Sequence, residues 1–553
     1  MGQTASVDTS SSPTYISEKD VMISYDKRAV KSVTIPELTS YRANIKGKAL
    51  DNSVTKEELV DLLRLHGIND AVSTLLFNFF QTLSNFPMIK DCYENVTYIG
   101  VLKSCLLVSK QRCLKFVQDK SYNHTKLVFI ALALSKNVKE VTGTPSSDLS
   151  IDAPEIISNF NNALTDELTV PADSMLEFVT LLLRISMLTL TKNSTLNATL
   201  SNDWDAFKVF ALNIVRTMNT CIKTSQETLK NVVTYTNFQE VLSSTCPNLL
   251  LPLEMLVEHV LFLEKDLVDP LASGIPRAES KLVTAPLLSQ LSTVWPRELV
   301  FSRLQKLYVG RDSGFSMRSF QAKVFKWMAP SLLLVNGIRI PDDEEYVRSK
   351  NHRYQTFLND YPRLKDEDQD ILPPFEGRKK LTFVVYVDEP WKVTNSELFG
   401  GTKTTIIQLS PVQEIFKAQK SESVCFNTLG GGIGVGSSLP VLKSNHRRYV
   451  PGNVSLTIDP NLEFGAFRNV GRGGSINPGS LTTTSSEHRF LIQDIEVWGC
   501  GGEKELEEQM KNWEWEEAEA QRRQRINLKS INDDRALLEL AGLVGQNQSG
   551  GSV

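Results

Sequence analysis

The segment that most constrains the fold is Phe490 to Gly499, FLIQDIEVWG, which closes a glycine-rich region. Its apolar residues fall at 490 and 492, then at 495 and 497. Alternation with period two marks a strand with one buried face. The change from even to odd positions does not fit a regular strand, because a one-residue slip turns every following side chain to the other face. The slip therefore predicts a β-bulge near Gln493-Asp494. Leu381 to Val387 is β-branched and aromatic, as strands prefer. Val454, Leu456 and Ile458 alternate with Ser455 and Thr457, which predicts a half-buried strand. Gly430 to Gly436 and Gly471 to Gly479 supply turns between them.

The first half of the chain has a different period. Thr55-Lys56-Glu57-Glu58 is a capping box, in which Glu58 reaches back to the free N–H groups of a helix start. Val72, Leu75, Leu76, Phe79, Phe80 and Leu83 form one apolar helical face. Ser174 with Glu177 reads as a second capping box, opening a helix that runs past Leu190. Leu253, Leu256, Val257, Val260 and Leu261 repeat the spacing.

At 553 residues the chain needs more than one core, on a scale of roughly 100–200 residues per domain. Residues 1–45 are Ser/Thr-rich without a sustained period and read as a flexible arm. Residues 46–270 read as one all-helical domain, with a degenerate EF-hand-like flavour near Asp51. That segment lacks the oxygen ladder and turn glycine that calcium needs. A linker at 271–285 leads to an α+β domain at 286–501, and residues 502–553 form a charged helix and a flexible tail. The expected class is multidomain α and α+β: helices first, then packed antiparallel sheets with flanking helices.

Composition narrows the function. A net charge of -4 gives no general reason to bind nucleic acid. The seven cysteines are scattered and contain no CxxC pair, which fits reduced thiols better than a disulfide framework or a zinc site. The six histidines show no metal spacing. The apolar stretch Leu176 to Leu190 is interrupted by Glu177 and Arg184, and is too short and too polar for the ~20 apolar residues of a membrane span. The cluster Gly430 to Gly436 fits neither a dinucleotide fingerprint nor a P-loop and reads as a turn. Asp494 and Glu496 would share a strand face, so a cytosolic hydrolase built on that pair is the enzymatic alternative. No catalytic residue, cofactor, metal or small-molecule substrate is otherwise expected.

Two features point to binding. The start Met1-Gly2-Gln3-Thr4-Ala5-Ser6 fits N-myristoylation at Gly2. One myristoyl chain gives only marginal membrane attachment, so a second signal is needed, most simply a protein partner already at the membrane. The other feature is the helix expected at Glu503 to Arg525. Acids crowd its start and Arg522, Arg523 and Arg525 its end, matching the helix dipole. Glu519–Arg523 is a favourable i,i+4 pair. Its few apolar residues include Trp513 and Trp515, which suit a docking arm better than a core helix.

Several blocks resemble the TLDc domain family. These are Leu307 to Ser316 with Phe320, Cys425-Phe426 before the glycine cluster, Ser455 to Leu462, Asn477-Pro478, and the ending Glu496-Val497-Trp498-Gly499. The Gly2 start, the helical first half and Trp513 to Glu517 extend the resemblance to the fungal restriction of telomere capping protein 5 family. Ser313 departs from the histidine common before Gly314, and Gly471 to Ser486 is a long polar insertion. The resemblance implies a β-sandwich with flanking helices. It also implies a non-enzymatic regulator in the cytoplasm and at the vacuole membrane. Such a regulator binds V1-sector subunits of the vacuolar proton pump (V-ATPase) and favours disassembly, with at most an indirect influence on telomere capping. An adaptor for another membrane complex is a further alternative.

Overall fold

The computed structural model describes residues 18–88, 95–118, 122–135, 167–191, 200, 203–263, 266–268, 280–302, 304–340, 351–362, 380–443, 446–480 and 486–501, with part of 507–523. The first of these residues are already helical. Helices Glu18–Ser32 and Ile35–Asn44 lie where a flexible arm is expected. Val21, Tyr25, Ala29 and Val33 repeat every four residues and are buried in the helical core. The ring of Tyr25 meets Phe86 and Phe116 edge-on, with centroids 5.6 and 5.9 Å away. This stripe is narrow and interspersed with polar and charged residues, so composition hides it.

Further helices at Lys56–Leu62, Asp70–Ser84, Tyr98–Val108, Lys110–Val117, His124–Leu134, Ala172–Ser186, Trp204–Met218, Tyr235–Ser244 and Leu251–Val257 complete one continuous core. The Thr55/Glu58 capping box is formed as expected. The one read at Ser174/Glu177 is not: the helix starts at Ala172 with Pro171 as its cap, and Ser174 is buried inside it. The fixed φ of Pro171 prepares the helix entry without a side-chain cap. That helix stops at Ser186, and Leu190 belongs to a short strand. Two short antiparallel pairs brace the domain, β1 (Thr169–Pro171) with β3 (Val232–Thr234) and β2 (Thr189–Thr191) with β4 (Asp266–Val268).

The second half is built on β5 (Leu304–Val309), β6 (Ser331–Arg339), β7 (Lys380–Val387), β8 (Thr405–Ser410), β9 (Glu414–Lys417), β10 (Val424–Asn427), β11 (Gly432–Val435), β14 (Val454–Ile458), β15 (Phe464–Asn469) and β16 (Ser486–Cys500). These form one antiparallel sheet in the order β10-β11-β14-β15-β16-β6-β7-β8-β9, with β5 also on β16. A separate hairpin pairs β12 (Ser438–Lys443) with β13 (His446–Val450). The sheet curls on itself. Phe467 on β15 meets Phe383 on β7 at 4.9 Å and Phe416 on β9 at 5.1 Å, although other strands lie between them in the order. The expected sandwich is thus closed by one continuous sheet. Its concave face holds the aromatic and aliphatic core. Its outer face is covered by helices Ala285–Ser292 and Arg297–Ser302.

β16 is the organising strand. It pairs with β6 from Phe490 to Gly499, with β15 through its first half and with β5 through its last. Its register to β6 shifts between Ile492 and Asp494, leaving exposed Gln493 as the extra residue. The predicted bulge is therefore present, and Phe490, Ile492, Ile495 and Val497 all reach the same inner core. β14 differs from the half-buried expectation. Ser455 and Thr457 are also buried, because Ser437 covers the Thr457 hydroxyl at 3.1 Å and Gly452 O accepts from Ser455.

Candidate functional site

The closing residues of β16 each take a separate structural task. Glu496 is buried, and both of its carboxylate oxygens accept hydrogen bonds. Oε2 accepts from Ser280 Oγ at 2.7 Å and from Trp498 Nε1 at 2.9 Å. Oε1 accepts from the backbone N–H groups of Lys281 and Leu282, each at 3.3 Å. The carboxylate thus pins the chain where it enters the β domain. Val497 lies in the inner core and Trp498 in the outer one. Gly499 lies under the Trp327 ring, and a Cβ there would overlap Cε2, Cδ2 and Cζ2.

Asp494 is held by a different partner, the Arg311 guanidinium, with Nη2 2.8 Å from Oδ2. The two carboxylates of the hydrolase alternative therefore answer to separate partners and share none. Asp459, on the strand that the family resemblance singles out, caps its own turn. It accepts from the N–H groups of Asn461, Glu463 and Phe464 at 3.1, 2.6 and 2.7 Å. Burial raises its pKa above the ordinary carboxylate value despite those bonds.

The buried thiols among the described residues are shifted away from reactivity. Burial pushes Cys425 up to about 11 and Cys113, Cys246 and Cys500 up to about 12. A thiol at such a value is protonated and unreactive near neutrality. Cys221 is exposed, and Cys92 lies outside the described residues. Among the described residues, no three His, Cys, Asp or Glu side chains are grouped to hold a metal ion. No described helix is long and apolar enough to cross a membrane. The glycine cluster is the β10–β11 hairpin, in which Gly432 has φ +71° and lies against the backbone of Ile458 and Asp459. It leaves no room for a nucleotide phosphate at that glycine.

The surface suited to a partner lies beyond β16. The described residues between Glu507 and Arg523 are helical. Trp515 is 66% exposed and Met510 is 50% exposed. Arg522 and Arg523 are exposed, and Arg523 Nη2 bonds Glu519 Oε1 at 3.0 Å in the expected i,i+4 pair. A tryptophan that open to water on a charged helix has apolar surface left for a partner to cover. Gly2, Trp513 and Arg525 lie outside the described residues.

Sequence reasoning missed a second polar cluster, around Gln413 in the β8–β9 turn. It joins the sheet to the helical domain through hydrogen bonds to Cys246 and Thr217, 167 and 196 positions away, and to Asn213. No local pattern announces partners at that separation.

Comparison with known proteins follows these features. The TLDc domain model matches residues 276–501. A Lachancea thermotolerans protein named "Restriction of telomere capping protein 5" is 67% identical over 556 residues, covering all of both chains. Proteins of the same name from Kluyveromyces lactis and Saccharomyces cerevisiae are 48% and 46% identical, again over the full length of both chains.

Proposed function

The chain belongs to the restriction of telomere capping protein 5 family and carries its TLDc domain, and from that premise we propose that it is a non-enzymatic regulator of the vacuolar proton pump. In this reading it binds subunits of the pump's soluble V1 sector and favours their separation from the membrane sector. The observation that carries the reading is the exposed Trp515 in the helical segment that follows the β domain in the chain. Exposed tryptophan and arginine are the residue types that most often anchor interfaces. Trp513, Arg522, Arg523 and Arg525 complete the contact.

A regulator of this kind shifts an equilibrium only by its differential affinity for the two states. Tighter binding to the separated sector than to the assembled pump is therefore the required property. Myristoylation at Gly2 would hold the chain at the vacuole membrane, where one lipid and one protein contact together give stable attachment. The name carried by the relatives refers to telomere capping. An influence there would be indirect, since the acidic net charge gives no footing on DNA.

The test is affinity purification of the tagged full chain from gently lysed cells, with mass spectrometry of the captured proteins. V1-sector subunits should be enriched. They should be lost when Trp513→Ala and Trp515→Ala are combined with charge reversal at Arg522, Arg523 and Arg525. Equal capture by that variant would remove the helix from the interface. Absence of V1 subunits from the wild-type capture would remove the pump as partner.

A further inference from the structure

Gln413 is completely buried, at 0% exposure, and every polar group it owns is engaged. Its backbone N–H donates to Asn213 O at 3.2 Å, and its carbonyl accepts from Thr217 Oγ1 at 2.8 Å. Its side-chain Nε2 donates to Thr293 Oγ1 at 3.0 Å and to Cys246 Sγ at 3.1 Å. Its Oε1 accepts from Gln290 Nε2 at 2.8 Å.

These partners come from three places. Asn213 and Thr217 lie on helix Trp204–Met218, and Cys246 follows helix Tyr235–Ser244, all in the helical domain. Gln290 lies on helix Ala285–Ser292, with Thr293 at its end, between the helical domain and the sheet. Neighbouring contacts reinforce the joint. Arg216, also fully buried, reaches Pro411 O at 3.4 Å while holding Ile222 O at 3.0 Å. Asn248 N–H donates to Thr293 O at 3.0 Å. Phe210 and Phe301 pack against both the helical core and the outer core of the sheet.

Domains joined by apolar contact alone can slide, because such contacts have no fixed register. A buried polar network cannot, since displacement leaves donors and acceptors without partners where water does not reach. The geometry points to Gln413 as a bolt that holds the helical and β domains in one orientation. The chain then meets any partner as a single body, and hinge motion between its halves requires the bolt to be drawn.

The test needs only the purified full chain, so its outcome is independent of the pump reading. Spin labels are placed at Glu57→Cys and Lys403→Cys, both exposed and one in each domain, with Cys92→Ser and Cys221→Ser to clear other reactive thiols. Double electron–electron resonance should give one narrow inter-label distance. Gln413→Leu, similar in size but without the amide, should lose that single peak in favour of a broad distribution. Thr217→Val, which removes one donor, should broaden it less. A broad distribution in the parent, or a Gln413→Leu distribution as narrow as the parent's, overturns the proposal. If Gln413→Leu does not fold, Thr217→Val decides: broadening supports the bolt and an unchanged peak overturns it.

Discussion

At Glu496 four donors converge on two carboxylate oxygens: Ser280 Oγ, Trp498 Nε1 and two backbone N–H groups. A glutamine keeps the size but offers one acceptor oxygen and turns an NH₂ toward donors. Glu496→Gln should therefore lower folding stability, at about 1–3 kcal/mol for each buried donor left without an acceptor. Chemical denaturation of the full chain checks this through the shift in midpoint. A catalytic carboxylate would behave differently, losing activity while the midpoint stayed put. Part of this arrangement was readable in the sequence. The strand, its inner face and the family ending are all visible in Glu496 to Gly499. What Glu496 bonds was not, because Ser280 is 216 residues away and no local pattern links the two. The same holds at Gln413. Among polar residues, a buried one with distant partners looks in sequence like an exposed one.

The elements that could be read from sequence are those whose local pattern agrees with their packing. β16 is the clearest case: its slip in parity and its bulge at Gln493 describe the same event. A test follows from that geometry. Gln493 is exposed, so Gln493→Ala should change stability within about 0.5 kcal/mol, as surface substitutions do. Deleting Gln493 removes the extra residue and leaves Phe490, Ile492, Ile495 and Val497 in one unbroken alternation on the same inner face. The deletion variant should therefore still give a cooperative thermal transition, as the alanine variant does. A deletion variant without a cooperative melt would mean that the sheet requires the bulge itself and not only the alternation of these four residues. Helix Glu18–Ser32 shows the opposite situation. Its buried stripe of Val21, Tyr25, Ala29 and Val33 is thin, and tertiary contacts hold it in place. Lys103 Nζ reaches Asp26 Oδ1 at 2.8 Å from the buried side of the contact. Local composition carries little of that stabilisation, so the helix reads as an arm until its partners are known.

For the whole molecule, acid sensitivity lies in both domains: burial and the charge of Arg339 hold His488 on β16 at about 3, and burial lowers a second histidine, His124, in the helical domain. His124 is buried with Nε2 2.9 Å from Val108 O and 3.1 Å from Leu107 O. Burial holds its pKa below the ordinary 6.5, against the pull of those two carbonyls. Burial raises Glu37, but hydrogen bonds from Arg112 and Thr34 outweigh it and leave the carboxyl at about 2. Both folded-state values lie below the unfolded ones, so the unfolded chain binds more protons as pH falls. The stability from His124 is present above pH 6.5 and is lost below it. That from Glu37 is present above pH 4.5 and is lost toward pH 2. Glu254, raised chiefly by burial, opposes this only in the carboxylate range. Between pH 7 and 5 the melting temperature should therefore fall, with a slope of at most about 1.4 kcal/mol per pH unit from each of His124 and His488. His124→Gln should flatten that fall. If the joint at Gln413 couples the domains, the β domain must melt with the helical one although its own titrating groups are different. Buried Trp327, Trp391 and Trp498 report on the β domain by fluorescence, while far-ultraviolet ellipticity reports chiefly on the helices. The two signals should share one midpoint at every pH in the wild-type chain. In Gln413→Leu the two midpoints should separate on acidification, because each domain then follows its own histidine, His124 or His488. Coincident midpoints in that variant would place the coupling in the apolar contacts of Phe210 and Phe301 instead.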